Sequence, residues 1–359
     1  MAARALVMAR DAGAAAALSP VARALIREGR LGVSIVAFGQ AAGVFRERGL
    51  PVLSFSESPT QEQIESLLAR EGARVVLTGT SMQAAEDAAF WDAARRAGIP
   101  SIALVDHWCN YSERFTSEAP FDSVPDTIAV MDEAAAAALQ AEGCPPGLLL
   151  VTGQPHFDEV IRDSATLSKT EVRQELDVDS GRTLLVFASE PQGRYYGNSL
   201  GYNEQDALRA LLESAAEVAP DAEVVVKLHP LEAPDAFSDL PETERRVAVR
   251  VVRAYPPEHL IRAADVILGM TSVLLLEAVL TGVPTISIRP GGNEDHFLSV
   301  HADKIVSVTD PKALPEVLER ALSQKVLEAP RGGRFGERAI ERTVGAVYEL
   351  ARVPEGAAR

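Results

Sequence analysis

The stretch of residues 262–290 constrains the fold more than any other part of the chain, because it predicts a strand, a turn, a helix and a second strand in immediate succession. Residues 265–268 are a short apolar and β-branched run that ends at Gly269. Residues 273–280 are apolar enough for a helix packed on a sheet, and residues 283–288 predict the next strand. A strand, a helix and a strand in this order form a βαβ unit, so we expect a parallel sheet.

The turn before this helix carries two hydroxyls, those of Thr271 and Ser272. Either hydroxyl is able to cap the helix by accepting from the amide hydrogens of its first turn. The helix start follows the carboxyl end of a strand, which is where open parallel sheets bind ligands. Free amides, the helix dipole and the hydroxyls together predict a phosphate site. Glu277 is the one acid of the helix, and the alternative is an ordinary capped core helix with a solvated Glu277.

The same stretch resembles the donor-binding segment of the glycosyltransferase-B (GT-B) superfamily. This superfamily includes nucleotide-sugar transferases, non-hydrolysing UDP-sugar 2-epimerases and polymer transferases of the CDP-glycerol or polysialic-acid type. In such proteins a strand ends in a turn that contains Ser, Thr or Gly, an E-A pair follows on the helix, and a G-x-P turn leads to the next strand. The matching residues here are Gly269, Thr271, Ser272, Glu277, Ala278, Gly282 and Pro284.

A second motif of the superfamily, K-x-H-P, ends the predicted strand at residues 223–228 and contains Lys227 and His229. In relatives the histidine faces the donor phosphates, so the resemblance implies that His229 is a phosphate ligand or an acid and that Lys227 is a charge beside it. The alternative is a strand end followed by a turn. The resemblance also implies that residues just before the helix at Pro257 line the nucleotide base, which makes Tyr255 a candidate.

Composition limits the classes of protein to consider. A chain of 359 residues has room for two domains of roughly 150 to 180 residues each. Its 35 basic and 51 acidic side chains give a net charge of −16, which argues against nucleic acid as a partner. No apolar run is long enough to span a membrane. With two cysteines, neither a disulfide framework nor a cysteine metal cluster is expected, and cytoplasmic residence fits.

The first half of the chain predicts alternating strands and helices, which indicates a parallel sheet wrapped by helices. Residues 5–8 form the first predicted strand, and a loop with Gly13 leads to an Ala-rich helix that opens at Ser19 and Pro20. In the superfamily this loop often lines the acceptor side of the cleft, so Gly13 is a candidate for ligand contact; a simple connection is the alternative. Gly13 belongs to no G-x-G-x-x-G motif, so no dinucleotide site is expected.

A polar and aromatic cluster, D-H-W-C-N-Y, follows the predicted strand at residues 101–105. Sites form at such strand ends in this architecture. His107 is a candidate general base because histidine titrates near neutral pH, with Asp106 as its orienting partner or as the base itself. Arg114 is expected to be solvated. The alternative for His107 is a packed surface histidine beside a buried tryptophan.

Three further loops supply candidate residues. Gly153 lies in a V-T-G-Q-P segment that matches the superfamily at the start of the interdomain crossing, and we expect this match to be structural, with the loop backbone facing the cleft. Glu190 stands near the start of a long loop, residues 189–198, and is a candidate for sugar or phosphate contact because long loops are uncommon unless functional. Arg289 opens a polar loop, residues 289–296, whose Gly-Gly pair permits close backbone approach.

These patterns predict an α/β fold with two doubly wound, Rossmann-like parallel-sheet domains that face a central cleft, as in the GT-B type. Residues 1–160 are expected to form the acceptor-side domain and residues 165–335 the nucleotide-binding domain. Residues 336–359 are expected to form a terminal helix that crosses back to the first domain.

The resemblance implies a metal-independent glycosyltransferase that uses a nucleotide-activated sugar, without a further cofactor, in surface glycan or glycoconjugate synthesis. A glycan, lipid-linked or protein acceptor is expected near Asp106 and His107, and His229 and the helix dipole would offset the charge of the leaving phosphate. No D-x-D pair stands at a strand end.

The alternatives are a UDP-sugar 2-epimerase or a nucleotide-sugar hydrolase on the same fold, or a non-catalytic sugar-nucleotide binder. Against an epimerase, the chain lacks the acidic cluster and the T-E-R-P-E-type segment of such enzymes. It has Arg289, Pro290 and Gly291 in place of that segment.

Overall fold

The computed structural model describes residues 3–55, 58–81, 85–116, 118–238, 247–253, 255–292, 305–323 and 338–354. Most of the predicted polar loop after Arg289 therefore lies outside the described residues. The chain divides into two compact units: unit 1 is Met1–Glu159 with Gly332–Arg359, and unit 2 is Val160–Arg331. Each unit contains one parallel sheet flanked by helices, which confirms the predicted class of two doubly wound α/β domains.

Unit 1 is built on a seven-stranded sheet with the strand order β3-β2-β1-β4-β5-β6-β7, and every neighbouring pair is parallel. The two central strands are almost entirely buried because helices cover both faces, which is why they consist of continuous apolar runs. The strands are β1 (Arg4–Ala9), β2 (Gly32–Ala37), β3 (Leu53–Ser54), β4 (Ala73–Thr78), β5 (Ser101–Leu104), β6 (Thr127–Val130) and β7 (Leu149–Val151).

The helices of unit 1 connect these strands, and the last of them comes from the end of the chain. They are α1 (Ala12–Glu28), α2 (Ala41–Glu47), α3 (Gln61–Glu71), α4 (Ala85–Ala97), α5 (Glu133–Ala141), α6 (Pro155–Ser164), which contains the boundary with unit 2, and α13 (Ala339–Leu350). Helix α13 packs on α1 through Val344, Val347 and Tyr348 in one apolar core, and the guanidinium of Arg30 lies 3.9 Å from the centre of the Tyr348 ring.

Helix α1 begins at Ala12, seven residues before the predicted start at Ser19. Alanine has the highest helix propensity, and burial of Ala14, Ala15, Ala17 and Leu18 in the core stabilises the helix although Pro20 inside it costs about 3 kcal/mol. The predicted loop at Gly13 is therefore wrong, because Gly13 is the second residue of the helix.

Unit 2 contains a six-stranded parallel sheet in the order β10-β9-β8-β11-β12-β13. Its strands are β8 (Leu184–Ala188), β9 (Glu223–Lys227), β10 (Ala248–Val252), β11 (Val266–Gly269), β12 (Thr285–Ile288) and β13 (Val306–Val308). Its helices are α7 (Lys169–Glu175), α8 (Gln192–Tyr196), α9 (Glu204–Val218), α10 (Pro257–Ala263), α11 (Val273–Leu280) and α12 (Leu314–Ser323). The short helix α8 replaces part of the long loop predicted at residues 189–198.

An ion-pair network at Asp265 fixes α7 to the start of the central strands of unit 2. The Asp265 carboxylate accepts from Lys169 Nζ at 2.8 Å, from Arg173 Nη2 at 2.5 Å and from the amide of Leu184 at 2.8 Å. These charged hydrogen bonds lower the pKa of Asp265 against the opposing effect of burial, which is the largest single influence. The network thus ties the first helix of the unit to β8 and to the residue before β11.

Asp87 closes the connection between β4 and α4. It lies in the first turn of α4, is 1% exposed, and accepts the amide of Ser81 at 2.8 Å through Oδ2. Its other oxygen, Oδ1, accepts no hydrogen bond from the residues that the structure describes. Burial raises the pKa of Asp87 to about 7, and the charge of Asp11 adds to the rise, whereas the bond from Ser81 opposes it. Asp87 is therefore a buried acid that still carries its proton in mildly acidic solution.

We predict that Asp87 makes the folded chain less stable as the pH rises. The folded state keeps the Asp87 proton up to about pH 7, whereas an unfolded aspartate loses it near its ordinary value of 3.8. Stability is thus lost between those two values, and the free energy of unfolding should fall by about 2 kcal/mol from pH 5 to pH 8. Asp87→Asn should remove this slope while keeping an acceptor for Ser81.

Urea unfolding of both proteins at pH 5 and pH 8 measures the slope. Asp92→Asn, on the same helix at a half-exposed position, controls for the loss of a negative charge. Parallel pH dependences in the wild type and in Asp87→Asn would contradict the prediction.

Candidate functional site

Each sheet has a switch point, where the chain leaves two adjacent parallel strands in opposite directions, and ligands of open α/β sheets bind at such points. In unit 1 the switch lies between β1 and β4, and in unit 2 it lies between β8 and β11. The loops at their carboxyl ends begin at Arg10 and Gly79 in unit 1 and at Ser189 and Met270 in unit 2. Most of the predicted site residues follow these strands or their neighbours.

In unit 2, Ser272 is the residue that caps α11. Its Oγ accepts from the amide of Leu274 at 3.3 Å. The neighbouring Thr271 has a different role, since its amide donates to Glu190 Oε2 at 2.7 Å and its hydroxyl donates to Glu190 Oε1 at 3.0 Å. The side-chain amide of Gln192 donates to the same hydroxyl at 3.0 Å. The structure thus decides between the two hydroxyls that the sequence left open as caps.

The contact between Glu190 and Thr271 joins the two loops of the unit 2 switch point. Glu190 follows β8 and Thr271 follows β11, so the contact links residues 81 positions apart. A carboxylate at the start of a helix is stabilised by the same amides and dipole that favour a phosphate. Glu190 therefore holds donors that a phosphate on Thr271 would need, whereas Ser272 and Val273 remain half-buried and accessible.

His229 is held beside this switch point by Glu232. The Glu232 carboxylate accepts the His229 amide at 2.6 Å and the Ser189 hydroxyl at 2.6 Å. His229 Nδ1 accepts from the amide of Leu231 at 3.2 Å, which places the proton of the neutral ring on Nε2. Burial, with the charge of Lys227 as a second cause, lowers the pKa of His229. The ring is thus neutral at neutral pH and carries a donor at Nε2.

Lys227 has a structural role in the described residues. Its ammonium donates to the carbonyl of Leu228 at 3.0 Å and to that of Arg253 at 2.8 Å, so it joins the ends of β9 and β10. Burial is the main cause that lowers its pKa. Lys227 therefore lies beside His229, as the K-x-H-P motif predicts, with its charge directed at backbone carbonyls.

The other candidates of unit 2 lie on or near the same sheet edge. A Cβ at Gly269 would lie 2.9 Å from the Ala188 carbonyl, so glycine permits the close approach of β11 and β8. Glu277 is 7% exposed, which excludes the solvated alternative. Arg289 is 3% exposed and donates to Ser307 at 2.5 Å, beside β13. The Tyr255 phenol donates to Glu175 at 3.4 Å.

In unit 1, Asp106 is the centre of a buried polar cluster after β5. Its carboxylate pairs with Arg114 Nη1 at 2.9 Å, and its carbonyl accepts from the Gln154 side chain at 2.9 Å. A Cβ on Gly13 would lie 2.3 Å from Asp106 Oδ2, so Gly13 lets the start of α1 approach this carboxylate. Gly153, with φ of 90°, occupies the left-handed region in the loop that brings Gln154 here.

Arg114 is buried, and the expectation of a solvated side chain is wrong. Its side chain is 7% exposed, and Nη1 also donates to the carbonyl and the hydroxyl of Thr80 at 3.1 and 3.0 Å. A buried guanidinium needs a counter-charge and several acceptors, and Asp106 and Thr80 supply them. Sequence reasoning missed this because Thr80 lies in the loop after β4, 34 residues before Arg114.

His107 is half-buried beside Asp106, and its Nδ1 lies 3.1 Å from the Sγ of Cys109. Burial and then the positive charge of Arg114 lower the pKa of His107 to about 4, and Asp106 opposes this only in part. The ring is therefore neutral at neutral pH. The neighbouring Trp108 is buried and donates to Asp132 Oδ2 at 2.8 Å, which fixes the loop.

The structure adds residues that the sequence did not single out, namely Asp11, Ser81 and Asp87. Asp11 lies at the surface two residues after β1 and directly before α1, yet partial burial raises its pKa, and the charge of Asp106 adds to the rise. Its position between the first predicted strand and the following helix indicated a site residue, but only Gly13 of this segment was a candidate. Asp87 lies inside a helical pattern, so no local signal distinguished it.

A groove of about 1230 Å³ lies at the opposite edge of the unit 1 sheet. It is lined by the starts of β4, β5, β6 and β7 and by the end of α13. None of the predicted site residues lines it. The polar side chains described above for unit 1 converge at the carboxyl edge instead.

Two classes of feature are absent from the described part of the chain. Among those residues, no group of three or more His, Cys, Asp or Glu side chains is placed to hold a metal ion. The same residues contain no helix that is long and apolar enough to cross a membrane.

Comparison with known proteins identifies relatives of the chain. A family model described as UDP-N-acetylglucosamine 2-epimerase matches residues 121–344, which is more than half of the chain. No curated protein matches the sequence. The UDP-GlcNAc 2-epimerase of Methanocaldococcus jannaschii is 19% identical, with a TM-score of 0.70 over 96% of this chain and 99% of that one.

Two further structures extend the comparison. The UDP-GlcNAc 2-epimerase of Neisseria meningitidis, bound to UDP-GlcNAc, is 15% identical, with a TM-score of 0.68 over 97% of this chain and 99% of that one. MurG of Acinetobacter baumannii is 11% identical, with a TM-score of 0.58 over 96% of this chain and 99% of that one. These likenesses confirm the two-domain fold, and the family match confirms the resemblance to the superfamily that includes UDP-sugar 2-epimerases.

The prediction of a glycosyltransferase is wrong, since the family match and the epimerase structures favour the alternative. The strand, turn and helix around Ser272 indicate nucleotide binding, which both classes share, and do not encode the reaction. Against an epimerase stood the missing acidic cluster and the short segment at Arg289, whereas the family match extends over residues 121–344. The chain belongs to the UDP-N-acetylglucosamine 2-epimerase family.

Proposed function

We propose that this chain is a UDP-N-acetylglucosamine 2-epimerase, an enzyme that inverts carbon 2 of the sugar in its nucleotide-sugar substrate. The observation that carries the proposal is the family match over residues 121–344, which includes the capped start of α11 and His229. Asp106 and His107 lie outside that span, so their roles are argued from geometry alone.

The chemistry of the reaction defines which groups are needed. Inversion at carbon 2 breaks its C–H bond and re-forms it on the opposite face. This hydrogen is not acidic, because no ring carbonyl lies next to carbon 2. Its removal becomes feasible when the C–H electrons form a double bond to carbon 1 and expel UDP. Return of the proton and of UDP gives the 2-epimer, so the atoms balance without a second substrate.

The leaving diphosphate requires donors and positive potential, and unit 2 offers both at the start of α11. The half-buried Ser272 hydroxyl lies there, at the positive end of the helix dipole. His229, neutral and protonated at Nε2, adds a donor without adding a charge. Fixed donors of this kind stabilise charge that develops on a leaving group.

Proton transfer requires a base and a proton donor, and unit 1 offers candidates for both. We assign the base to the Asp106 carboxylate, whose side chain is 14% exposed and whose orientation is fixed by Arg114 and by its contact with α1. His107 lies next to it with a neutral ring. The surface carboxyl of Asp11 is a third titratable group near Asp106.

The proposal includes no metal ion and no cofactor beyond the substrate, because protein donors meet the charge of the leaving group. Nucleotide sugars are formed from cytoplasmic nucleotides, so we also propose cytoplasmic residence and a role in supplying surface glycan synthesis. The net charge of −16 is consistent with a small-molecule substrate rather than nucleic acid.

The proposal predicts that the purified chain converts UDP-N-acetylglucosamine into its 2-epimer. Proton NMR in D₂O measures the conversion, and solvent deuterium should appear at carbon 2 because the group that returns the proton exchanges with solvent. Asp106→Asn should slow conversion by about 100-fold or more, since it removes the proposed base.

Addition of EDTA is the control for metal dependence and should leave the rate unchanged. Circular dichroism checks that Asp106→Asn is folded, because the change leaves Arg114 without its counter-charge. A folded wild-type protein that binds UDP but neither converts the substrate nor exchanges its carbon 2 hydrogen would contradict the proposed function.

A second prediction is that Ser272→Ala weakens UDP binding. Loss of a hydrogen bond to a charged group costs about 1.5 to 3 kcal/mol, which corresponds to a roughly 10- to 150-fold rise in Kd. Isothermal titration calorimetry with UDP measures the change.

Ser168→Ala is a matched control, because Ser168 caps α7 in the same unit through the amide of Glu171. Both variants should lose about 1 kcal/mol of stability with the cap. Only Ser272→Ala should lose UDP affinity, and an equal Kd in the two variants would place the phosphates elsewhere.

A further inference from the structure

The loop after β5 brings a thiol and an imidazole into direct contact. Cys109 Sγ lies 3.1 Å from His107 Nδ1, well inside the range of a hydrogen bond that involves sulfur. Both ends of the pair are fixed, because Trp108 is buried and bonded to Asp132 and because Arg114 Nε donates to the Cys109 carbonyl at 3.3 Å. The neighbouring residues of the loop therefore hold the thiol and the imidazole in contact.

The contact between the Cys109 thiol and the His107 imidazole is a hydrogen bond and not an ion pair. The pKa of His107 is lowered to about 4, whereas an unperturbed thiol has a pKa near 8.5. Transfer of the thiol proton to an imidazole of such low basicity is unfavourable. The positive charge of Arg114 also disfavours an imidazolium, and the carboxylate of Asp106 offsets this only in part. The ring is therefore neutral and does not take the thiol proton.

Within the pair, the thiol is the hydrogen-bond donor and the imidazole is the acceptor. An imidazole nitrogen is a strong acceptor, whereas a thiol sulfur is only a weak one. The arrangement in which the S–H donates to Nδ1 is thus favoured over the reverse. When Nδ1 accepts, the single proton of the neutral ring resides on Nε2.

We propose that Cys109 is a positioning residue that holds His107 in the tautomer protonated at Nε2, so that His107 serves as a hydrogen-bond donor through Nε2 and not as a base. The proton-accepting role then falls to Asp106. The donor role toward substrate rests on the proposed epimerase function, whereas the tautomer itself does not. This assignment replaces the sequence-based expectation that His107 is a general base.

The tautomer is measured directly by long-range ¹H–¹⁵N correlation spectra of the imidazole rings at pH 7. The chain has six histidines, and loss of one ring signal in His107→Gln assigns the relevant one. In the wild type, Nδ1 should have the shift of an unprotonated nitrogen and Nε2 that of a protonated one. Cys109→Ser should keep this pattern, because its hydroxyl also donates to Nδ1.

Cys109→Ala removes the donor, so the two nitrogen shifts should move toward the average of the two tautomers. In the same variant kcat should fall about two- to tenfold with little change in KM, and Cys109→Ser should restore it. Cys144→Ala, at the other cysteine and in a buried position, controls for the loss of a thiol.

The NMR spectra report the tautomer of His107 independently of turnover. A wild-type ring protonated at Nδ1, or a Cys109→Ala spectrum identical to that of the wild type, would overturn the inference even if the enzyme is active. Should Cys109→Ala fail to fold, loss of the Nε2-protonated pattern in Cys109→Ser would also overturn it. The expected shifts in a protein without epimerase activity would leave the inference intact and reject the proposed function.

Discussion

Parallel strand pairing is the constraint on which the rest of this structure depends. Because every described strand pair is parallel, all strands of a unit end at the same edge and their loops converge there. The order reverses between β1 and β4 in unit 1 and between β8 and β11 in unit 2. Residues far apart in sequence are thereby brought into contact, as the hydrogen bonds between Glu190 and Thr271 illustrate. The polar chemistry of each unit is a consequence of strand order rather than of any one motif.

The titratable side chains at the carboxyl edges of the two sheets share the same features. The two half-buried histidines are kept neutral, since partial burial lowers the pKa of both His107 and His229. Each has its Nδ1 occupied, by Cys109 in one case and by the Leu231 amide in the other. Carboxylates are held by fixed donors, as Asp106 is by Arg114. An edge of this kind presents oriented dipoles and few mobile charges, which suits a reaction whose charge develops on a leaving diphosphate.

Sequence patterns predicted the features that depend on local periodicity and failed where distant side chains meet. The alternation of apolar strands and helices predicted both sheets, and the apolar run after Ser272 predicted α11. The burial of Arg114 on Asp106 and Thr80 could not be predicted, because Thr80 lies in the loop after β4, whereas Asp106 and Arg114 both follow β5. The early start of α1 was missed because Pro20 was weighted above the alanine run before it. The reaction was assigned to the wrong class because a nucleotide-binding turn is common to transferases and epimerases. The roles of Asp106, His107, His229 and Ser272 stay predictions.

The central claim is that the diphosphate of the substrate binds at the start of α11. Backbone amide hydrogen exchange, measured by mass spectrometry with and without saturating UDP, tests it most directly. We expect the amide hydrogens of peptides covering residues 270–275 to exchange more slowly when UDP is present, because the diphosphate binds the amides of the first helical turn. Unchanged exchange in these peptides, together with protection at another strand end, would contradict it.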